Sequence, residues 1–456
     1  MEDSLLIEKE WLLFVKYTIP SVLSMLGFSL YILADTYFVA NGVGAIGLSA
    51  LNIAIPVYGF MAAIAILLGM GGSTLFSIYR GKGDFNSAND VFTMSMLNCA
   101  IVSTVILLLG VFASRYIAAL LGASGIILDY VDIYLKVIMI LCPLMIFSNV
   151  LINFVRNDGK PKIAMVAMII GTALNIVCDY IFIYIFNWGM AGAALATSFS
   201  PIISLIIGIY FIKKNSTLKL KKFKYKYSML KESIHCGISS FLSEVSISVV
   251  ILIFNIVILD ISGEIAVAAY GIITNIALVC LCMFNGLAQG MQPIISTNFG
   301  SGKKQRMLKV LKIGIIVALI SGVLFYAVGV LYPKEIAEAF NGQGSIELTN
   351  LTVNGIRIYF IAFIFMGVNI VILSFYQSIM KAKEAFILSV LRGFLLIVVL
   401  LLILTPLWGM NGVWLVVPIT ELITLVLSSI SLIKYLNSEK NPSIEVDYEK
   451  SEVVSK

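Results

Sequence analysis

Apolar residues in this chain come in long, nearly unbroken runs, not in the two-residue alternation of a half-buried strand. Short breaks rich in charge, glycine or proline separate the runs. A helix needs about 20 apolar residues to cross the hydrocarbon core of a bilayer, and with short connections only helices can span it. Twelve runs qualify, near 11–38, 45–79, 91–114, 127–153, 162–186, 190–212, 234–259, 265–298, 310–332, 352–379, 384–406 and 411–434. The longer ones must tilt or project past the bilayer. The pattern predicts an all-α integral membrane protein with twelve transmembrane helices. The 456 residues leave no room for a large soluble domain.

The breaks alternate in charge. Those after helices 2, 4, 8 and 10 hold Arg80 and Lys82; Arg156, Lys160 and Lys162; Lys303, Lys304, Arg306 and Lys309; and Lys381 and Lys383. The break after helix 6 is the longest basic stretch, KKNSTLKLKKFKYKYSMLK at 213–231. The intervening breaks (NWGM, DISGE, TPLWGMN) are nearly free of bases, and only Arg115 and Lys334 clearly fall on that side. Because basic loops stay in the cytoplasm, the alternation predicts cytoplasmic N and C termini in a multi-pass protein of a bacterial plasma (inner) membrane. The segments expected are a cytoplasmic N-terminus 1–10, a six-helix lobe 11–212, a basic cytoplasmic linker 213–233, a second six-helix lobe 234–436 and a cytoplasmic tail 437–456. The plain reading of 213–231 is a topology determinant and linker; the sharper one is contact with anionic membrane lipid.

Composition narrows the function classes. Hydrophobic residues make up 60% of the chain and charged ones 12%, about half the charge of a soluble domain. The net charge of +6 does not indicate nucleic acid, because the bases sit in loops between spans. Cys99, Cys142, Cys178, Cys236, Cys280 and Cys282 all lie inside apolar runs and read as small buried hydrophobes. The start, MEDSLLIEKE, lacks the basic region of a secretory signal, so the first run is expected to remain as a helix. A single histidine, His235, no metal-spaced cluster and no nucleophile motif argue against an enzyme.

The chain also repeats itself. WGMAG at 188–192 recurs as WGMNG at 408–412, and the Gly-rich loop GKGDFNSAND at 81–90 corresponds to GSGKKQRMLK at 300–309. Asn52 and Asn275 lie in matching runs. An offset of about 220 residues equals six helices, so the halves are parallel repeats related by an axis along the membrane normal. Transporters built this way bind substrate between the halves and rock them open alternately. A channel or a membrane enzyme does not need the duplication.

Candidate chemistry lies in the few polar residues inside the runs. Asn175 and Asp179 stand one helical turn apart in LNIVCDYIF, Thr197 follows in the next run, and Asp35 lies in LADTYFVANG of the first. A charge at the centre of a membrane helix costs roughly 2.5–3.5 kcal/mol or more. Two carboxylates, an amide oxygen and a hydroxyl form an all-oxygen set suited to a hard cation or to a proton shared between acids. Asp179 is about 25 Å along helix 5 at 1.5 Å per residue, Asp35 is near the outer end of helix 1, and Thr197 is about two turns in from WGMAG, so the four could meet. The competing reading makes Asp35 a helix end at the interface, with Asn175 and Asp179 bonded to neighbouring helices. Glu244 in helix 7 reads either as a buried acid paired across helices or as a cavity carboxylate facing cationic substrate. Arg392 and Glu421 read as a structural ion pair. Pro20 is a candidate kink in helix 1. His235 reads as interfacial, and Met283 and Phe284 as core residues that could also line an adaptable cavity.

These residues resemble the multidrug and toxic compound extrusion (MATE) transporters, in their DinF-type, archaeal-like branch, over about 11–434. The resemblance rests on twelve helices in two halves, the helix 1 acid Asp35, Pro20 fifteen residues before it, and the Gly-rich loops after helices 2 and 8. Its most specific part is the stretch from Asn175 through Asp179 to Thr197. It implies a cation-coupling site at Asp35, Asn175, Asp179 and Thr197, which would also be the metal ligands if the ion is Na⁺, and a substrate cavity with Glu244, Met283, Phe284 and Gln377. It further implies no cofactor beyond Na⁺ or H⁺ as coupling ion, and a monomer that exchanges that ion for amphipathic, mostly cationic drugs. A lipid-linked oligosaccharide flippase of the same superfamily is the alternative; it would need several cavity bases for phosphate, and Arg392 and Lys136 are the few mid-span candidates. Other branches place acids on helices 7 and 10, whereas helix 10 here carries only Asn369 and Gln377. Single cysteines placed in 213–231 and in 187–190 should label from opposite sides of intact cells. Labelling of both from outside would overturn this topology.

Overall fold

The computed structural model describes residues 4–222, 225–341 and 345–438, and no strand occurs among them. Eight helices are long and apolar enough to cross a membrane, and two bent pairs add two more spans. Two of the eight are hairpins. The helix Tyr227–Gly300 breaks at Gly263 (φ 73°), and Phe254 stacks on Tyr270 across the turn with ring centroids 5.0 Å apart. The stretch Ala382–Ser438 breaks at Gly409 (φ 54°), and Gly412 packs on the Leu404 carbonyl across that turn. Twelve spans result. They are α1 Glu10–Gly42, α2 Ala45–Gly81, α3 Phe85–Leu120, α4 Gly125–Ile140 with Cys142–Asn157, α5 Pro161–Asp179 continued by a π-turn Tyr180–Ile185, α6 Gly189–Asn215, α7 227–262, α8 264–300, α9 Lys304–Leu331, α10 Ile346–Tyr359 with Ala362–Ser378, α11 382–408 and α12 410–438.

The differences from the sequence reading have local causes. Helix α3 starts six residues earlier than expected because Asp84 caps it, accepting from Ser87 N at 3.0 Å; these bonds hold the Asp84 carboxyl below its usual range. Spans α4 and α10 are bent by 48° and 47° instead of running straight. In α4 the bend precedes Pro143, which lacks a backbone donor. The kink expected at Pro20 is not a break in this conformation, since α1 runs helically through it. The connector is shorter than 213–233, because α6 extends to Asn215 and α7 begins at Tyr227 with Met229 and Ser233 buried. The tail from 439 onward lies outside the described residues.

That connector is strapped to the first lobe. Asp158 accepts from Ser216 Oγ at 2.6 Å and Thr217 N at 3.1 Å, and it also bonds Arg80 at 3.3 Å. Further along, Lys219 N donates to Asn89 Oδ1 at 2.6 Å and Lys221 N to Thr93 Oγ1 at 3.2 Å, both on α3. The basic stretch is thus an extended strand-like strap whose backbone donors are met by helix side chains.

Helices α1–α6 and α7–α12 form two lobes with separate apolar cores, one around Phe92, Leu135 and Phe154, the other around Phe284, Phe363 and Trp414. The inner half of α1 crosses over, so that Leu13, Phe14 and Tyr17 pack with Met291, Ile294 and Phe375 of the second lobe. The repeated motif has a structural reason. Gly189 and Gly409, the second residues of WGMAG and WGMNG, take φ of 52° and 54°, a region that suits glycine, and the last glycines, Gly192 and Gly412, press on carbonyls of the preceding helix.

The lobes close at the face that carries the basic loops. A Cβ on Gly81 would strike the Thr297 carbonyl, and one on Gly300 would strike the Ile78 carbonyl, a reciprocal pair between α2 and α8. Above it, Gln292 donates to Thr74 Oγ1 at 2.8 Å and accepts from Asn157 at 3.0 Å, while Ser77 donates to Asn157 Oδ1 at 2.6 Å. The buried Arg156 donates to Gln289 at 2.8 Å. Among the described residues, the cross-lobe hydrogen bonds and ring contacts named here lie on the basic side of Tyr58 or at its level, where Phe60 meets Phe241 with centroids 5.9 Å apart. Alanine at Gly300 has no space against that carbonyl, and overpacking of this kind costs about 1–3 kcal/mol. Gly300→Ala should therefore lower the unfolding midpoint and raise thiol accessibility of cysteines placed at 74 or 292 from the basic face; unchanged accessibility would mean that the seam does not hold the lobes together.

Candidate functional site

Three helices of the first lobe converge near the face opposite the basic loops. Helix α5 packs on α6 through Gly171, which faces the Ser200 carbonyl, and through Ser204 Oγ, which donates to the Ala167 carbonyl at 2.8 Å. Helix α1 lies on α5 at Gly27, which approaches Thr172, and at Phe38, whose ring meets Tyr180 and Tyr184 at 6.5 and 5.9 Å. Asp35 lies between those two α1 contacts, and Asn175 and Asp179 lie between the two α5 contacts. Asp179 is the last α-helical residue before the π-turn, a widening that often marks functional positions. The turn also stacks Tyr180 on Tyr184 at 5.8 Å, so both face Phe38.

The four residues singled out in the sequence are all buried: Asn175 and Asp179 are 0% exposed, Asp35 and Thr197 8%. The Asp35 and Asp179 carboxyls are close enough to interact electrostatically. Six of their buried polar atoms have no hydrogen-bond partner: Asp35 Oδ1, both ends of the Asn175 amide, both oxygens of Asp179 and Thr197 Oγ1. Leaving one such atom unmet costs about 1–3 kcal/mol. A cluster of them leaves several polar atoms open to a ligand at one place. The donors are all oxygen apart from the amide nitrogen, and no three His, Cys, Asp or Glu side chains converge among the described residues. That set fits a hard monovalent cation or a proton and does not fit a nitrogen- or sulfur-seeking transition metal.

Three tyrosines that the sequence reading passed over lie around the site. The buried Tyr134 phenol of α4 stands beside Thr197 without reaching hydrogen-bond geometry to it, and Asp35 and Asp179 are within electrostatic range. Tyr31, one turn before Asp35 on α1, has its hydroxyl 3.0 Å from that of Tyr58 on α2. The four-residue spacing in YILAD was the available signal for Tyr31; nothing local marked Tyr58 or Tyr134.

The second lobe differs. Arg392 Nε bonds Glu421 Oε1 at 2.7 Å, Asn369 donates to Glu421 Oε2 at 2.8 Å, and Ser428 donates to Asn369 at 3.1 Å. This polar group is satisfied from within. Gln377 is likewise tied down, donating to Ser239 and Ser240 at 3.0 and 2.9 Å. Phe284 lies in the core rather than on a cavity wall, fully buried against Gly367 and edge-on to Phe325 at 5.9 Å, and Met283 is partly buried beside that core. Glu244 is half-buried and has no hydrogen bond or ion pair among the described residues. His235 is exposed near the basic end of α7, Lys136 is exposed on α4, and all six cysteines are free.

The sequence matches the MatE family over residues 20–181 and 240–403, two stretches that begin about 220 residues apart, as the internal repeat requires. The chain belongs to the MatE family. It is a multi-pass membrane transporter of the multidrug and toxic compound extrusion type and not an enzyme. This MatE protein is 28% identical over 410 residues to the multidrug export protein MepA of Staphylococcus saprophyticus, covering 87% of this chain and 88% of that one. Its fold superposes on an outward-facing multidrug resistance MATE transporter of the MOP superfamily with TM-score 0.91 and 25% identity, over 96% of this chain and 98% of the other. A MOP superfamily transporter from Pyrococcus furiosus with a binding pocket of reverse polarity matches in fold with TM-score 0.89 and 24% identity, over the same shares.

The unmet polar atoms lead to a stability prediction for this MatE protein. Asp179→Asn replaces a partnerless buried carboxyl with a neutral amide, so without added cation it should melt at or above the wild-type temperature. Wild type should gain about 2.7 kcal/mol when the cation or proton that fills the site is present at a hundredfold excess over its dissociation constant, and Asp179→Asn should lose that response. Thermal melts across a Na⁺ series and a pH series check both; a strongly destabilised variant beside an unresponsive wild type would assign Asp179 a structural role.

Proposed function

We propose that this transporter is a secondary active exporter of several unrelated amphipathic small molecules, cations foremost, driven by inward movement of Na⁺ or H⁺. The observation that carries this reading is the set of six partnerless buried polar atoms on Asp35, Asn175, Asp179 and Thr197. The name of the staphylococcal relatives supports the substrate class. With the basic face in the cytoplasm, the lobes are closed toward the cell interior, the state in which an exporter releases drug and reloads its ion.

In this reading the ion enters the first lobe from outside and neutralises the two acids. Drug and ion favour opposite states of the lobes, and that difference drives export. Glu244, a half-buried carboxylate without a partner on α7, draws cationic substrate because a fixed negative charge in a medium of low dielectric attracts positive charge and repels negative. The flippase alternative is less well supported: a phosphate needs free bases, whereas Arg392 is engaged by Glu421 and Arg156 by Gln289 and Asn153.

Efflux of ethidium from proteoliposomes, with a Na⁺ gradient and a pH gradient imposed separately, tests the proposal. One of the two should drive export, and Asp35→Asn and Asp179→Asn should each reduce that export at least about tenfold. Glu244→Gln should reduce export of cationic dyes more than that of neutral ones. Wild-type rates in both aspartate variants would sink the site. Rescue of a strain lacking a lipid-linked sugar flippase, without any dye efflux, would promote the alternative.

A further inference from the structure

Between the site in the first lobe and the acid in the second, a pair of tyrosines lies at the seam. On α1, Tyr31 and Asp35 are four residues apart and share a face. The Tyr31 hydroxyl lies 3.0 Å from the Tyr58 hydroxyl of α2. Tyr58 belongs to the stretch of α2 that touches α7: a Cβ on Gly59 would lie 3.0 Å from Ser248 Oγ, and Phe60 meets Phe241 edge-on at 5.9 Å. Phe241 and Ser248 are seven residues apart on α7, one face of that helix, and Glu244 falls between them on the same face. Tyr58 is within electrostatic reach of both Asp35 and Glu244, and Tyr134 is the remaining titratable group facing it.

This is also where the cross-lobe contacts end on the side away from the basic loops. The paired hydroxyls make the seam polar at that level, while the neighbouring contacts, Phe60 with Phe241 and Gly59 with Ser248, are packing contacts. Tyr58 touches neither the Asp35–Asp179 set nor a cavity wall through a hydrogen bond of its own; its one recorded bond is to Tyr31.

We propose that Tyr58 is a positioning residue that couples the cation site of the first lobe to Glu244 of the second, through its hydroxyl bond to Tyr31. Filling of the Asp35–Asp179 set reorients the Tyr31 hydroxyl, Tyr58 follows, and the environment of Glu244 changes across the seam. By reciprocity, drug at Glu244 alters ion affinity by the same factor. The proposal rests on the antiport reading above and adds to it the residue that carries the linkage.

Purified full-length protein, titrated with ethidium at several concentrations of the coupling ion, measures the linkage as the fold-change in dye affinity between ion-free and ion-saturated states. Wild type should show a change of about fivefold or more. Tyr58→Phe keeps the ring and removes the hydroxyl. It should bind dye and ion, each measured alone, within about threefold of wild type, while the fold-change between states falls to within about twofold of unity. Tyr31→Phe should do the same, and the double variant should be no worse than either single one, because both remove one bond. A wild-type fold-change in Tyr58→Phe would overturn the proposal. So would loss of dye or ion binding measured alone, which would make Tyr58 a ligand, or additive losses in the double variant. If wild type itself shows no linkage to Na⁺ or pH, the antiport reading falls first and takes this inference with it.

Discussion

A polar group in hydrocarbon must find its partner inside the protein, because no water is there to supply one. Nearly all of this structure follows from that constraint. It leaves helices as the spanning elements, it has serine and threonine hydroxyls bond back to carbonyls one turn earlier, as at Thr18, Ser21 and Ser24, and it closes Arg392, Glu421, Asn369 and Ser428 into one group. Against that background the cluster at Asp35, Asn175, Asp179 and Thr197 is a concentrated exception. The surrounding packing of α1, α5 and α6 holds these groups together at a cost to stability, and a cost of that kind is maintained where function requires it.

The two lobes are alike in topology and opposite in electrostatic character. In the second lobe, acid and base neutralise one another and the amide and hydroxyl complete the shell. In the first lobe two buried acids lie within electrostatic range of each other with no base bonded to either among the described residues, so one added positive charge changes the balance of the whole group.

Closure of the lobes depends on close backbone approach and on amides. Gly81 and Gly300 let α2 and α8 meet across the pseudo-twofold axis, and the network of Gln292, Asn157, Thr74 and Ser77 is neutral throughout. These neutral hydrogen bonds contribute about 0.5–1.5 kcal/mol each, and the buried Arg156 adds a charged bond to Gln289. The crossing of α1 into the second lobe links that seam to Asp35 by one continuous helix.

The sequence by itself determined the class of the protein. Apolar run length dictates twelve spans, and WGMAG and WGMNG mark the duplication, because their glycines meet backbone demands that recur in each lobe. The rarity of charge inside apolar runs was enough to single out Asp35, Asn175, Asp179 and Thr197, since a local cost is visible in local sequence. Only the tertiary structure decided which polar residues are satisfied and which are not. Phe284 fills a core and Gln377 is bonded to α7, and neither is legible locally, because burial and partners depend on helices distant in the chain. The bends in α4 and α10, the strap of the basic connector along α3, and the Tyr31–Tyr58 pair were equally hidden. Each arises where segments far apart in sequence come within hydrogen-bonding distance, and a hydropathy pattern carries no record of that distance.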